Sequence, residues 1–321
     1  MRPNRCRHSS TSSWTYLKIL IGLVVLGISN HAFALLPFDN NGNLYVSIWD
    51  ADVVRIFAPD GTDLGSMTAQ GLDGPRGIAF NPLNGDIWIA GEHSHTIYIF
   101  DKEHRFQWSL THPDFNEPVG ISFNMTPDVA PEDQEVYISN SNGNEIMVFD
   151  QTGTFLRRFT QPTLTNPNCS AFMPDGSFFV SNRLGGGLGR QGAVDKYDAN
   201  DQFLFSFSTE GMASVMAIAR DSNGPGDEDD TIWVTSGGGA CGIYEFDQDG
   251  NLLQSILPVD LPDASIIPQG IAFDHHGNFA VASFATNQIF QFNGDGQFLL
   301  SYPTGVGNSR SIAYQYLPTS Q

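Results

Sequence analysis

The 321 residues carry 35 acidic against 15 basic side chains, and a net charge of −20 excludes nucleic acid or an anionic membrane as the main electrostatic partner. Only 16% of residues are charged and 40% are hydrophobic, which excludes global disorder. Phe (24) outnumbers Lys plus Arg, and Gly (33) and Pro (18) are abundant, so aromatic packing and turns take the place of amphipathic helices and the chain reads as all-β.

Residues 1–34 have the layout of a secretory signal. Arg2, Arg5, Arg7 and Lys18 accompany a ten-residue apolar run, 19–28, that is short for a membrane span. Ala32-Phe33-Ala34 puts small residues at −3 and −1 of a cleavage site. An uncleaved anchor is the alternative. Cleavage removes four of the basic residues and no acidic one, leaving eleven against 35. The expected mature chain, 35–321, is a single domain, periplasmic or secreted, with no membrane contact.

From Leu44 onward one tripeptide type keeps returning: Leu44-Tyr45-Val46, Ile87-Trp88-Ile89, Val136-Tyr137-Ile138, Phe178-Phe179-Val180, Ile232-Trp233-Val234 and Phe279-Ala280-Val281. The mean step is about 47 residues, and such unbroken apolar runs predict strands buried on both faces. A small residue follows each: Ser47, Ala90, Ser139, Ser181, Thr235, Ala282. A further strand then closes on Phe or Tyr, at 54–57, 97–100, 146–149, 194–197, 243–246 and 289–292. Turns rich in Asp, Asn and Gly come next, as in Asp150-Gln151-Thr152-Gly153 and Asp247-Gln248-Asp249-Gly250. Hairpin chemistry accounts for them. Ca²⁺ is the one cation that these turns, or the acidic insertion at Asp221 and 227–230, would suit; no other cofactor is expected.

The last strand of each unit has a Pro-x-Gly-Ile-Ala-Phe flavour. It stands as Pro75-Arg76-Gly77-Ile78-Ala79-Phe80, Pro118-Val119-Gly120-Ile121-Ser122-Phe123 and Pro268-Gln269-Gly270-Ile271-Ala272-Phe273. Degenerate copies begin at Pro167 and Ser214. The sixth, Ser309-Arg310-Ser311-Ile312-Ala313-Tyr314, lies almost at the C-terminus, and the first tripeptide strand lacks such a partner. The C-terminal strand should therefore complete the first sheet. That predicts a six-bladed β-propeller of four-stranded blades, with the ring closed by the C-terminal strand.

Pro-x-Gly-Ile-Ala-Phe, then a Gly-Asn/Asp aromatic strand, then Ile-x-x-Phe-Asp-x-x-Gly resembles the NHL repeat, over about residues 40–315. The resemblance implies the propeller fold and leaves function open, since NHL-type propellers include protein binders, RNA binders, lyases and sensors. By analogy with propellers, the start of the Pro-x-Gly strand lines the channel mouth. Round the ring this position reads Arg310, Arg76, Val119, Asn168, Val215, Gln269, and two adjacent arginines would suit a carboxylate or phosphate. Arg76, Asn168, Gln269 and Arg310 are the candidate ligand residues. Trp49, His93, His95, Asn140, Asn182 and Phe284 are candidates for the rim, beneath Gly-rich loops at 185–187 and 237–239. The expected function is an exported, non-catalytic propeller that binds a small ligand or partner protein on this face.

The alternative is a metal-assisted hydrolase or lyase. Pro167-Asn168-Cys169 resembles the Pro-Asn-Gly ligand turn of propellers similar to gluconolactonase and senescence-marker protein 30, whose metal takes one Glu, two Asn and one Asp. The other ligands do not transfer. Glu92-His93-Ser94-His95 would need a remote third ligand to hold Zn²⁺. Export leaves Cys169 and Cys241 as a candidate disulfide, with the flexible run 236–240 folding inward to bring them together; the alternative is that Cys169, at a place where the repeat has Gly, is a small buried residue.

Overall fold

The computed structural model describes residues 42–124, 130–184, 192–222, 230–238, 241–305 and 307–315. Residues 1–34, with the expected signal, lie outside these, as do the Gly-rich run 185–187, Gly239 and the acidic residues 227–229. Among the described residues, no helix is long and apolar enough to cross a membrane.

Six sheets of four antiparallel strands form the propeller. Blade 1 unites Leu44–Ile48 (β1), Val53–Phe57 (β2) and Asp63–Met67 (β3) with the C-terminal Ser309–Tyr314 (β24). Blade 2 is Pro75–Phe80 (β4), Ile87–Gly91 (β5), Thr96–Phe100 (β6) and Phe106–Thr111 (β7). Blade 3 is Pro118–Phe123 (β8), Val136–Asn140 (β9), Glu145–Phe149 (β10) and Phe155–Phe159 (β11). Blade 4 is Pro167–Phe172 (β12), Phe178–Asn182 (β13), Ala193–Tyr197 (β14) and Phe203–Phe207 (β15). Blade 5 is Val215–Asp221 (β16), Thr231–Ser236 (β17), Gly242–Phe246 (β18) and Leu252–Ile256 (β19). Blade 6 is Pro268–Phe273 (β20), Phe279–Ser283 (β21), Gln288–Phe292 (β22) and Phe298–Pro303 (β23). Strands β24, β4, β8, β12, β16 and β20 are innermost, and each packs against the next round the channel.

The tripeptide strands lie second from the channel, covered on both faces by the neighbouring blades, and β1, β5, β9, β13 and β21 are buried along their whole length. The apolar side chains gather into clusters at the junctions between blades. Trp88, Ile97, Phe123 and Ile138 join blades 2 and 3, and Val46, Phe57, Ala282 and Tyr302 join blades 1 and 6. Burial of each large side chain contributes about 1.5–3 kcal/mol, so blade-to-blade contact holds the ring.

Each inner strand is bulged near its start, where register jumps from Pro75 to Ile78, Pro118 to Gly120, Pro167 to Ser170, Val215 to Ala217 and Pro268 to Ile271. A bulge leaves an N–H outside the ladder. In blades 4 and 1 the small residue after the tripeptide supplies the acceptor: Ser181 Oγ takes the Cys169 N–H at 2.9 Å, and Ser47 Oγ takes the Ser311 N–H at 2.8 Å. The bulge also carries the repeat's glycine against the next blade. A Cβ on Gly120 would strike the Asn168 carbonyl, and one on Gly77 the Val119 carbonyl.

The Asp-rich turns close hairpins between third and outer strands. Asp150 Oδ1 accepts the N–H groups of Thr152 and Thr154 at 2.9 and 2.8 Å, and Asp247 Oδ1 those of Asp249 and Asn251 at 3.0 and 2.8 Å. These hydrogen bonds hold Asp150 and Asp247 below the usual carboxylate range against the opposing effect of desolvation.

Candidate functional site

Strand register defines two tiers of residues at one end of the channel. The lower tier is the bulge residue of each inner strand: Arg310, Arg76, Val119, Asn168, Met216 and Gln269. In blade 5 this differs from the expected Val215. Val215 pairs with Ser236 as Pro268 pairs with Ser283, so Val215 occupies the proline's place and Met216 faces the mouth. Ser214-Val215 imitates Pro-x in sequence, which shifts a reading by eye one residue early.

The upper tier is the residue after each second strand: Trp49, Glu92, Ser141, Arg183, Gly237 and Phe284. All six make the same backbone bond, donating N–H to the loop that leads into their own blade's inner strand. The acceptors are the carbonyls of Asn308 (2.9 Å), Gly74 (2.9 Å), Glu117 (3.0 Å), Asn166 (3.1 Å), Ser214 (2.9 Å) and Ile267 (3.0 Å). One shared hydrogen bond thus fixes six different residues at equivalent places above the lower tier.

The two tiers interlock. The Arg310 guanidinium lies 4.2 Å from the Phe284 ring centre and 5.0 Å from that of Trp49, a cation between aromatic walls. Its Nη1 donates to Gln269 Oε1 at 3.2 Å, and its Nε is buried with no hydrogen-bond partner. Arg76, also buried, donates from Nη2 to Asn168 Oδ1 at 3.3 Å, reaching from blade 2 past Val119 of blade 3 to blade 4. Its Nη1 lies 3.6 Å from Glu92 Oε1, while Glu92 Oε2 accepts the Trp49 indole N–H. Asn168 Nδ2 completes the belt by donating to the Val215 carbonyl at 3.0 Å. A Cβ on Gly237 would meet Gln269 Nε2 and Met216 Cγ, so the Gly-rich loop of blade 5 rests on the lower tier.

The charge balance here opposes that of the whole molecule. Burial, and then the neighbouring Arg76 and Arg183 charges, push Arg310 down to about 10 against the pull of Glu92 and Asp50. Three of the eleven basic residues beyond residue 34 therefore converge on one mouth of an acidic protein. Arg183 is absent from the candidates read in the sequence.

The other expected rim residues have different surroundings. His93 is exposed, edge-on to Trp49 with ring centres 4.9 Å apart, and its Nδ1 is 3.1 Å from Asp73 Oδ1. His95 stands at φ 50° in the turn before β6, and its Nδ1 accepts the Glu117 N–H at 3.0 Å. Asp52 and Asn144 stitch neighbouring blades in the same way, accepting the N–H groups of Gly74 and Asn166 at 2.9 Å each. Asn140 and Asn182 are fully buried, one residue short of the upper tier. Their Oδ1 atoms brace the loops before the inner strands, accepting from Asn116 (2.6 Å) and Thr165 (3.1 Å).

In place of the candidate disulfide, both cysteines are free. Cys241 occupies the turn position of Asp52, His95 and Asn144, with φ 45°. That position faces the following blade. Its side chain lines a groove of about 480 Å³ with Leu257, Val259, Ile266 and Ile267 of the connection to blade 6. Cys169 belongs to blade 4, on the other side of blade 5, and burial pushes its thiol up to about 11.

As a cation site the mouth offers a poor donor set. The one carboxylate of the two tiers, Glu92, is engaged by Arg76 and Trp49, both ends of the Asn168 carboxamide are in use, and two guanidiniums stand alongside. Among the described residues no three His, Cys, Asp or Glu side chains converge to hold a metal ion.

No family model matches the chain. A stretch of 105 residues is 30% identical to the Drosophila melanogaster protein brain tumor, covering 33% of this chain and 10% of that protein. The chain thus spans about a tenth of the length of that relative. Among solved structures, the nidogen/laminin complex contains a chain matched at TM-score 0.68 with 11% identity, over 85% of this chain and 98% of that one. Virginiamycin B lyase from Staphylococcus aureus matches at TM-score 0.59 with 15% identity, over 84% and 87%. A protein of unknown function from Bacteroides caccae matches at 0.64 with 13% identity, over 86% and 99%. These likenesses run over most of this chain and of each of those chains. At such identities they carry the fold alone.

Proposed function

We propose that the protein is an exported, non-catalytic, NHL-like propeller whose channel mouth binds a small organic anion. One observation carries the reading. Arg310 is held half-buried against Phe284 and Trp49 with an unpartnered Nε, beside a second guanidinium, while one carboxylate, Glu92, is shared between Arg76 and Trp49. Two like charges packed side by side and partly desolvated repel, and a carboxylate placed between them relieves the repulsion through charge-assisted hydrogen bonds. The reading supposes no catalysis: Arg310, Arg76, Asn168 and Gln269 offer donors for holding an anion, and the Glu92 carboxylate beside them is engaged by Arg76 and Trp49.

Calorimetry with acetate and benzoate tests the site. Binding to the wild type is expected, with loss of about tenfold or more in affinity in Arg310→Ala and in Arg76→Ala. Equal heats in the wild type and both variants would remove the mouth as the site. Export rests on the layout of residues 1–34 and is checked by sequencing the N-terminus of protein recovered outside the cytoplasm, where Leu35 is expected first.

A further inference from the structure

Arg183 is placed by register, and its chemistry is unspent. It follows β13 in the upper tier, and its backbone is tied to Asn166, two residues before Asn168 of the lower tier. The side chain is exposed and makes no ion pair or hydrogen bond among the described residues. Its tier-mates act inwards: Trp49 and Phe284 on Arg310, Glu92 on Arg76, and Gly237 against Gln269 and Met216. Blade 4, which carries Arg183, lies opposite blade 1, which carries Arg310, in a ring of six. The two guanidiniums with spare donors therefore reach the mouth from different blades, near enough for the Arg183 charge to act on Arg310. Val119 and Met216 of the lower tier are apolar and add no charge between them.

Building on the anion-binding reading, we infer that the mouth takes a two-headed anion, a small α,ω-dicarboxylate with one carboxylate on Arg310 and Arg76 and the other on Arg183. Two positive centres held by different blades favour two negative ones held by one spacer. The spacer between the carboxylates crosses the middle of the mouth, where the lower tier offers carboxamides and apolar side chains.

The test is a calorimetric series of dicarboxylates from malonate to suberate. Each is set beside the monocarboxylate of equal length, with inorganic phosphate as a compact dianion. The proteins are the wild type, Arg183→Ala and Arg183→Lys. In the wild type at least one dicarboxylate should bind about tenfold or more tighter than its monocarboxylate and tighter than phosphate. In Arg183→Ala dicarboxylate affinity should fall by about tenfold more than monocarboxylate affinity changes, and Arg183→Lys should recover part of the difference. The exposed position makes Arg183→Ala compatible with folding. If monocarboxylates bind and dicarboxylates gain nothing, or the gain survives in Arg183→Ala, or phosphate binds best, the two-headed ligand is refuted while the anion mouth stands. If no anion binds the wild type, both fall together.

Discussion

Arg310 costs the ring stability. Its charge is partly desolvated, one N–H lacks a partner, and Arg76 and Arg183 repel it. Replacing it with an apolar side chain of similar length should stabilise the protein while abolishing binding. Arg310→Met is expected to raise the midpoint of denaturant unfolding by the equivalent of about 1 kcal/mol, and a lowered midpoint counts against this account. The same residue sets a pH limit. An anion needs the protonated guanidinium, and the group's pKa in the free protein is down to about 10. Binding raises that pKa, so affinity should be level through neutral pH and fall as pH passes about 10, as a calorimetric pH series would read. Cys241 and Cys169 make a separate prediction: unfolded, unreduced protein lacking residues 1–34, and Cys6 with them, should titrate two thiols per chain with a thiol reagent, and none would restore the disulfide.

At the scale of the strand, packing of neighbouring inner strands explains why the repeat keeps a glycine beside its bulge. Gly120→Ala places a methyl against the Asn168 carbonyl, backbone against which little can yield. It should lower stability by about 1–3 kcal/mol and loosen the Arg76–Asn168 contact with it, readable as a fall in melting temperature together with weaker carboxylate binding. The strand order and latch were legible in the sequence because they rest on residue type: an aromatic tripeptide, a Phe or Tyr at the strand end, Asp and Gly in the turn. The mouth was legible only in part. Arg76, Asn168, Gln269 and Arg310 sit at an offset marked by proline or serine, but Met216 follows a valine that stands in for the proline. The upper tier has no shared residue type at all. Trp49, Glu92, Ser141, Arg183, Gly237 and Phe284 agree only in lying five residues beyond the first residue of each tripeptide. Their common feature is a backbone bond, which any side chain permits, so chemistry along the chain gives no mark, whereas counting from the tripeptide would have found Arg183 and set Asn140 and Asn182 one place too early.

For the whole molecule the decisive contact is β24 on β1. Ile312 and Tyr314 are buried, and Ile312 pairs with Val46. Truncation after Gly307 removes them, exposes the inner edge of blade 1 and breaks the junction with blade 6. At about 1.5–3 kcal/mol for each buried side chain the loss approaches a typical total stability. The truncated chain should unfold or self-associate, measured by thermal melting and light scattering; a monomer with unchanged melting temperature would show the latch to be dispensable.

That closure has a consequence in time. Tyr45 Oη and Gln315 Oε1 meet at 3.4 Å across 270 residues of chain. A ribosome working at about 5–20 residues per second releases β24 roughly 15–55 s after β1. Throughout that interval blade 1 has three strands and an open edge, and five later blades must stack with nothing to stack back upon. Bringing ends so far apart together costs on the order of 5 kcal/mol in chain entropy, repaid only when the last strand docks. A crowd of nascent chains offers each open edge the tails of its neighbours, and the same antiparallel pairing made between two chains yields a swapped dimer or an open string of propellers. The final strand to be made thus decides between a ring and a polymer, and dilution during synthesis favours the ring.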